Sequence, residues 1–243
     1  MSQPLFGGVL TVGSLFWEHT PIRTHWRQTY LKAPATSLEV SVPIRYGRLS
    51  PSRSSTHTMI FTHAVETPLG VAKAIPFQTP IGRWEDLWEQ ALALAAAEGI
   101  RKQQPTVITS WAAVGLLINP LALDRNSELV TSLLRSWGDM FLDSAYFHSE
   151  DYAWNGGEKS PIDRLGMLQI PWPEALADWD LILATPTRPN LAGAPSPYDI
   201  SQSMIQAQYF EYFHQNYLHG LRTFQDAEIF AALAQAGIQL PTS

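Results

Sequence analysis

The chain reads as an α+β protein: a small mixed β-barrel or curved sheet, helices packed on it, and a helical C-terminal extension. Three observations predict this. Short apolar or alternating segments occur in hairpin-like pairs in the first half, one strong helix interrupts them, and no regular β-α-β alternation follows.

The elements follow in order. Val9–Phe16 is apolar and β-branched and reads as a buried strand broken at Gly13. Pro21–Leu31 reads as a short helix or loop carrying Arg23, His25 and Arg27. Leu38–Leu49 and Thr56–His63 read as strands, with Pro51-Ser52-Arg53-Ser54-Ser55 as the turn between them. Gly70–Pro76 is a further short strand.

Trp84–Ala97 has the strongest helical signature. It follows Gly82, carries Glu85 and Asp86 in its first turn, is rich in Ala and Leu, and stops at Gly99. Val107–Ile118 reads as an apolar strand closed by Asn119-Pro120, and Ser127–Ala145 as a helix capped by Asn126 or Ser127. Ala153–Ser160 is a loop with Asn155-Gly156-Gly157 at its tip. Leu181–Thr185 is a short strand, and the proline-rich Thr185–Tyr198 a lid or linker. Ser201–Leu218 and Phe224–Ala236 are the last helices. Met204, Ile205, Tyr209, Tyr212, Phe213 and Tyr217 recur at helical spacing, as a core or dimer face would. The expected division is a barrel region over 1–120 and a mainly helical extension over 121–243, packed on the same domain.

Composition narrows the function classes. Of 243 residues, 45% are hydrophobic and 16% charged, which argues for a large core and against disorder. The net charge of −6, with only 16 Lys and Arg, lacks the basic field of a nucleic-acid binder. With no cysteine, disulfides, thiolate metal sites and Cys nucleophiles are excluded. The first residues lack a basic leader and a long apolar run, and the longest apolar stretch, Trp111 to Ile118, is far short of a membrane span of about 20 residues. The expectation is a soluble, cytoplasmic protein, with no membrane partner, that takes a small-molecule substrate and associates as a homodimer.

Two motifs carry chemistry. At Val12-Gly13-Ser14-Leu15, the glycine lets the chain bend after a strand, and consecutive N–H groups there could hold a carboxylate or an oxyanion. The competing reading is an ordinary strand end. Glu98 ends the Leu-rich helix. The partial negative charge of a helix C-terminus disfavours its anion and suits a general base. The competing reading is a solvated acid paired with Arg101 and Lys102. Arg45, Arg48 and Arg53 follow on the second strand pair, with His57 beyond. A spacing of three puts Arg45 and Arg48 on opposite strand faces, and one of them could reach an anionic substrate. His57 and His63 would share a face only on an unbroken strand. Glu211 and His214 make one Glu-x-x-His step without a second, so no metal is expected, and no fingerprint of a cofactor-binding class is present.

Over residues 9–99 the chain resembles the gamma-glutamylcyclotransferase-like superfamily. The resemblance rests on Val12-Gly13-Ser14-Leu15 at the first strand, Arg23 shortly after, and the stretch from Gly70 to Glu98-Gly99. It implies a backbone cradle at Gly13, Ser14 and Leu15 for a gamma-glutamyl head group and Glu98 as general base; Arg23, which carries part of the resemblance, and Arg45, from the second strand pair, are the further expected substrate contacts. Val12 stands where the family has Tyr, no Tyr follows soon after Gly99, and residues from about 120 onward have no counterpart. The implied activity is a lyase that releases 5-oxoproline from a gamma-glutamyl amide without a cofactor. The alternative, from another class, is a non-catalytic small-molecule-binding or scaffold protein on the same fold. The two part on whether Glu98 shares a cavity with Gly13–Leu15 or faces solvent.

Overall fold

The computed structural model describes residues 3–63, 68–100, 105–154 and 158–242. Arg101 and Lys102, expected beside Glu98, and the Asn155-Gly156-Gly157 tip lie outside them. A mixed five-stranded sheet is built from β1 (Gly7–Thr11), β2 (Leu38–Val42), β5 (Gly70–Pro76), β6 (Gly115–Ile118) and β7 (Leu181–Ala184) in the order β2-β5-β1-β7-β6. β1 runs antiparallel to β5 and parallel to β7. A separate antiparallel ribbon joins β3 (Ile44–Ser50) to β4 (Thr56–Phe61).

The protein is therefore α+β with a mixed sheet, but that sheet does not close into the expected barrel: among the described residues it ends at β2 and β6. Two features prevent closure. The expected strand Leu38–Leu49 divides at Pro43, which has no N–H to continue a ladder, and β3 leaves for its own ribbon. The place beside β1 is then taken by β7, from the second half of the chain. Residues beyond 120 thus supply a strand between β1 and β6 as well as helical cover.

All five residues of β1 are buried, as in a strand covered on both faces. Side chains alternate between two cores. Val9, Ile75, Leu181 and Leu183 pack under α3 (Trp84–Glu98) and α5 (Ser127–Leu142). Leu10, Ala74, Ile182 and Ala184 face the ribbon together with α6 (Pro197–Ala207), α7 (Glu211–Leu218) and α8 (Asp226–Gln235).

Three elements differ from their sequence readings in ways that matter for the site. The first strand ends at Thr11, and Ser14–Trp17 forms a short helix, α1. The segment Val107–Ile118 folds back on itself, with Thr109 N–H donating to Ala112 O at 2.9 Å and Val114 N–H to Val107 O at 2.8 Å, so only Gly115–Ile118 joins the sheet. The aromatic helix divides into α6 and α7 because Gln208 adopts the left-handed conformation, with φ 50°. Two further helices, α2 (Pro21–Tyr30) and α4 (Pro120–Arg125), are opened by the side chains of Thr20 and Asn119.

The break at Gln208 sorts the aromatic residues by burial. Phe213 is 2% exposed and packs its ring 4.8 Å from Phe230 and 6.1 Å from Tyr46, whereas Tyr209 is only half-buried. Phe213→Ala is expected to cost about 3–5 kcal/mol, the usual range for a buried Phe, and Tyr209→Ala clearly less. Denaturant titration of both variants checks this, and equal costs would contradict the packing of α7.

Candidate functional site

A cavity of about 140 Å³ opens where the end of β1, the end of α3, the ribbon and α7 converge, and Val12, Ser14, Arg23, Arg53, Glu98 and Tyr212 line part of it. It is smaller than the roughly 300–1,000 Å³ of a drug-sized site, so it suits a small metabolite.

The β1 end is shaped by Gly13. Its φ of 71° and ψ of −149° belong to a region open essentially to glycine alone, and a Cβ there would lie 2.2 Å from the Tyr212 hydroxyl. Among the described residues, the N–H groups of Gly13, Ser14 and Leu15 donate to no acceptor. Arg27, 6% exposed, fixes the far side of this turn by donating to Leu15 O and Glu18 O, each at 2.8 Å.

The α3 end is a closed helix terminus. Gly99 takes a left-handed φ of 81°, its N–H bonds Ala96 O at 3.1 Å, and Ile100 N–H bonds Ala95 O at 2.8 Å. The next carbonyl, Ala97 O, accepts from Arg23 Nε at 3.1 Å. Glu98 is thereby held at the rim of the cavity. Its side chain is 18% exposed, while its Oε2 is sealed from solvent and accepts no hydrogen bond. Arg23 Nη2 lies 3.6 Å from that oxygen, an ion-pair distance beyond hydrogen-bond length.

The same Arg23 donates through Nη1 to Ser14 Oγ at 2.8 Å and to Glu18. Glu18 also accepts from Arg53 Nη2 at 2.6 Å, and the Arg53 guanidinium lies 5.9 Å from the Trp17 ring and 5.7 Å from the Tyr212 ring. The two acids therefore shift in opposite senses. Burial raises the Glu98 carboxyl above its ordinary value and the Glu18 charge adds to this, against the opposing charges of Arg23 and Arg53. Burial also pushes Glu18 up, but the hydrogen bond from Arg53 and the charges of Arg23 and Arg53 outweigh it, and Glu18 lies below its ordinary value. Burial holds the Tyr212 phenol at about 12, so it remains a hydroxyl at neutral pH. Its oxygen accepts from Met59 N–H at 3.2 Å.

Of the residues singled out from sequence, the structure brings together Ser14, Arg23 and Glu98, with Gly13 and Leu15 forming the turn behind Ser14. It leaves Arg45 elsewhere. Gly47 is an extra residue in β3, and the register Arg45↔Ile60 and Arg48↔Thr58 puts both arginines on one face of the ribbon, not on opposite faces as a regular strand would. Arg45 then stacks 5.2 Å from the Trp154 ring and 5.6 Å from the Phe224 ring, while Arg48 reaches the cavity. His57 does not line the cavity and places Nδ1 2.9 Å from Ser203 Oγ, and β4 ends before His63. Tyr212, Trp111 and Thr187 were not legible as site residues, because each arrives from an element whose path the sequence left open. Among the described residues no cluster of His, Asp and Glu could hold a metal, and no helix is long and apolar enough to cross a membrane. No family model, curated protein or solved structure matches the chain significantly.

The opposite shifts of the two acids give opposite pH dependences. Below the ordinary carboxylate pKa, Glu98 is protonated in both folded and unfolded chains and carries no penalty. As pH rises through its elevated folded value, the unfolded chain has already lost the proton, and stability falls. Glu18 stabilises the fold above its ordinary value and loses that contribution as pH falls through its depressed folded value. The melting temperature of Glu98→Gln relative to the parent should therefore climb as pH rises from the ordinary carboxylate value and level off above the raised folded value. Glu18→Gln should instead sit below the parent by a constant amount above the ordinary carboxylate value, and the gap should close as pH falls below it. Thermal melts across pH check this, and parallel trends would contradict the assigned environments.

Proposed function

We propose that this protein is an intramolecular cyclotransferase of the gamma-glutamylcyclotransferase type, releasing 5-oxoproline from a small gamma-glutamyl amide. The observation that carries this reading is the elevated Glu98 carboxyl, with its unbonded Oε2, at the rim of the cavity that Ser14 also lines.

The reaction requires little from the protein beyond position and one proton carrier. The α-amine of the substrate attacks its own γ-carbonyl carbon, a C–N bond forms within the ring, and the bond to the leaving amine breaks. Attacker and carbonyl share one molecule, so holding the chain folded supplies much of the rate. The Glu98 carboxylate takes the proton that the attacking nitrogen sheds and returns it to the departing nitrogen. A carboxyl raised toward neutral pH is suited to both transfers. The unpartnered N–H groups at Gly13–Leu15 and the Tyr212 hydroxyl are donors for the substrate carboxylate and for the oxygen that gains charge at the attacked carbonyl. The phenol that the family carries on its first strand is replaced here by Val12, and Tyr212 brings a hydroxyl to the same turn from α7.

The test is 5-oxoproline release from a panel of gamma-glutamyl amines and dipeptides. Glu98→Gln should bind substrate while turnover falls by roughly 10²–10⁴-fold, the scale of a lost general base. Tyr212→Phe should lose less. No release by the parent across the panel would favour a non-catalytic binding protein, and equal release by parent and Glu98→Gln would remove Glu98 as the base.

A further inference from the structure

The cavity holds a second cluster of polar groups that the cyclisation chemistry does not use. Arg48 lines it together with Trp111, Thr185 and Thr187. Its guanidinium lies 5.6 Å from the Trp111 ring, and its Nη1 donates to Arg188 O at 2.6 Å. That contact fixes the head group but neutralises nothing. Among the described residues no carboxylate pairs with Arg48, and its Nε and Nη2 make no hydrogen bond yet are not sealed from solvent. Arg23 and Arg53, by contrast, share Glu18.

Thr187 is the second, independent sign. The residue is 8% exposed, it lines the same cavity, and its Oγ1 has no hydrogen-bond partner. A buried hydroxyl without a partner is costly and is uncommon in folded proteins. It stands next in sequence to Arg188, whose carbonyl holds Arg48, so the unpaired cation and the unpaired hydroxyl belong to one wall.

We propose that Arg48 and Thr187 form a carboxylate subsite for the far end of the ligand. This rests on the cyclotransferase reading only for the identity of the head group: the leaving amine would be an amino acid, with its carboxylate on Arg48 and Thr187. A carboxylate offers two oxygens, which match the two unbonded nitrogens of one guanidinium edge. One guanidinium and one hydroxyl supply the charge for a monoanion rather than a phosphate dianion. The fixed head group and its aromatic support mean that little order has to be imposed when the ligand arrives.

The experiment measures binding by calorimetry to protein carrying Glu98→Gln, so that no turnover intervenes, with Arg48 intact or replaced as Arg48→Gln. The probes are gamma-glutamylglycine, gamma-glutamylglycinamide and the gamma-glutamyl amide of aminomethylphosphonate. With Arg48 intact, the glycine ligand should bind roughly 10–100-fold more tightly than its neutral amide, the scale of a charge-assisted hydrogen bond. Arg48→Gln should erase that ratio while leaving the affinity for the amide within about threefold, a shift of less than 1 kcal/mol. Thr187→Val keeps the shape and should weaken only the glycine ligand, which keeps the proposal testable if Arg48→Gln fails to fold. Equal binding of acid and amide, or of neither, would overturn the subsite. A phosphonate bound more tightly than the carboxylate would overturn the assignment to carboxylate. Absence of 5-oxoproline release alongside an intact Arg48-dependent ratio would sink the cyclotransferase reading and leave the subsite standing.

Discussion

The Arg23 guanidinium is the contact on which the site depends. It takes the free carbonyl at the end of α3, holds the Ser14 hydroxyl, pairs with Glu18 and lies 3.6 Å from Glu98. One side chain thus ties the turn after β1 to a helix end 74 residues away in sequence. Arginine suits this role because its planar, permanently charged fork offers five donors in fixed directions. Glu18 takes the short contacts to Arg23 and Arg53 and stays ionised. Glu98 receives only a longer-range attraction, too weak to offset its burial. Two carboxylates that share a cation are in this way shifted in opposite directions. Such separation of paired acids is what acid–base chemistry near neutral pH requires.

The rest of the architecture serves to bring this constellation together. Because β7 enters beside β1, the second half of the chain reaches the end of the first strand. Because Gln208 breaks the aromatic helix, α7 is redirected and Tyr212 reaches Gly13. The missing Cβ at Gly13 is what admits the phenol, and any other residue there would meet both a forbidden backbone conformation and the Tyr212 oxygen. Arg27, buried among carbonyls, keeps the turn in shape from the opposite side.

The sequence made the local features legible and left most of the assembly open. Glu98 before Gly99 read as a helix end, and α3 ends there because a left-handed glycine satisfies the terminal carbonyls. Gly13 reads as a strand break because glycine alone takes sharp bends freely, and the structure uses that freedom just past the strand, which already ends at Thr11. The barrel did not follow from the strand pairs: Pro43 is a local break in the ladder, but nothing along the chain says that β3 then leaves for its own ribbon or that Leu181–Ala184 lies beside β1. Regular strand periodicity puts Arg45 and Arg48 on opposite faces, but it assumes no bulge, and Gly47 supplies one that brings them to the same face. Tyr212 reads as a core aromatic, which it also is: the residue is buried and at the same time lines part of the cavity. Long-range placement of that kind is set by packing and not by spacing along the chain.

The central claim, that burial raises the Glu98 carboxyl and Arg23 only partly restrains it, is tested most directly by following the Glu98 side-chain carbon by NMR as a function of pH. The measurement compares the parent with Arg23→Gln, with the Glu98 resonance assigned from Glu98→Gln. The account predicts a Glu98 midpoint above the ordinary carboxylate value in the parent, and a further rise when the Arg23 charge is removed. A midpoint at or below the ordinary value in the parent, or one that does not move in Arg23→Gln, would contradict it.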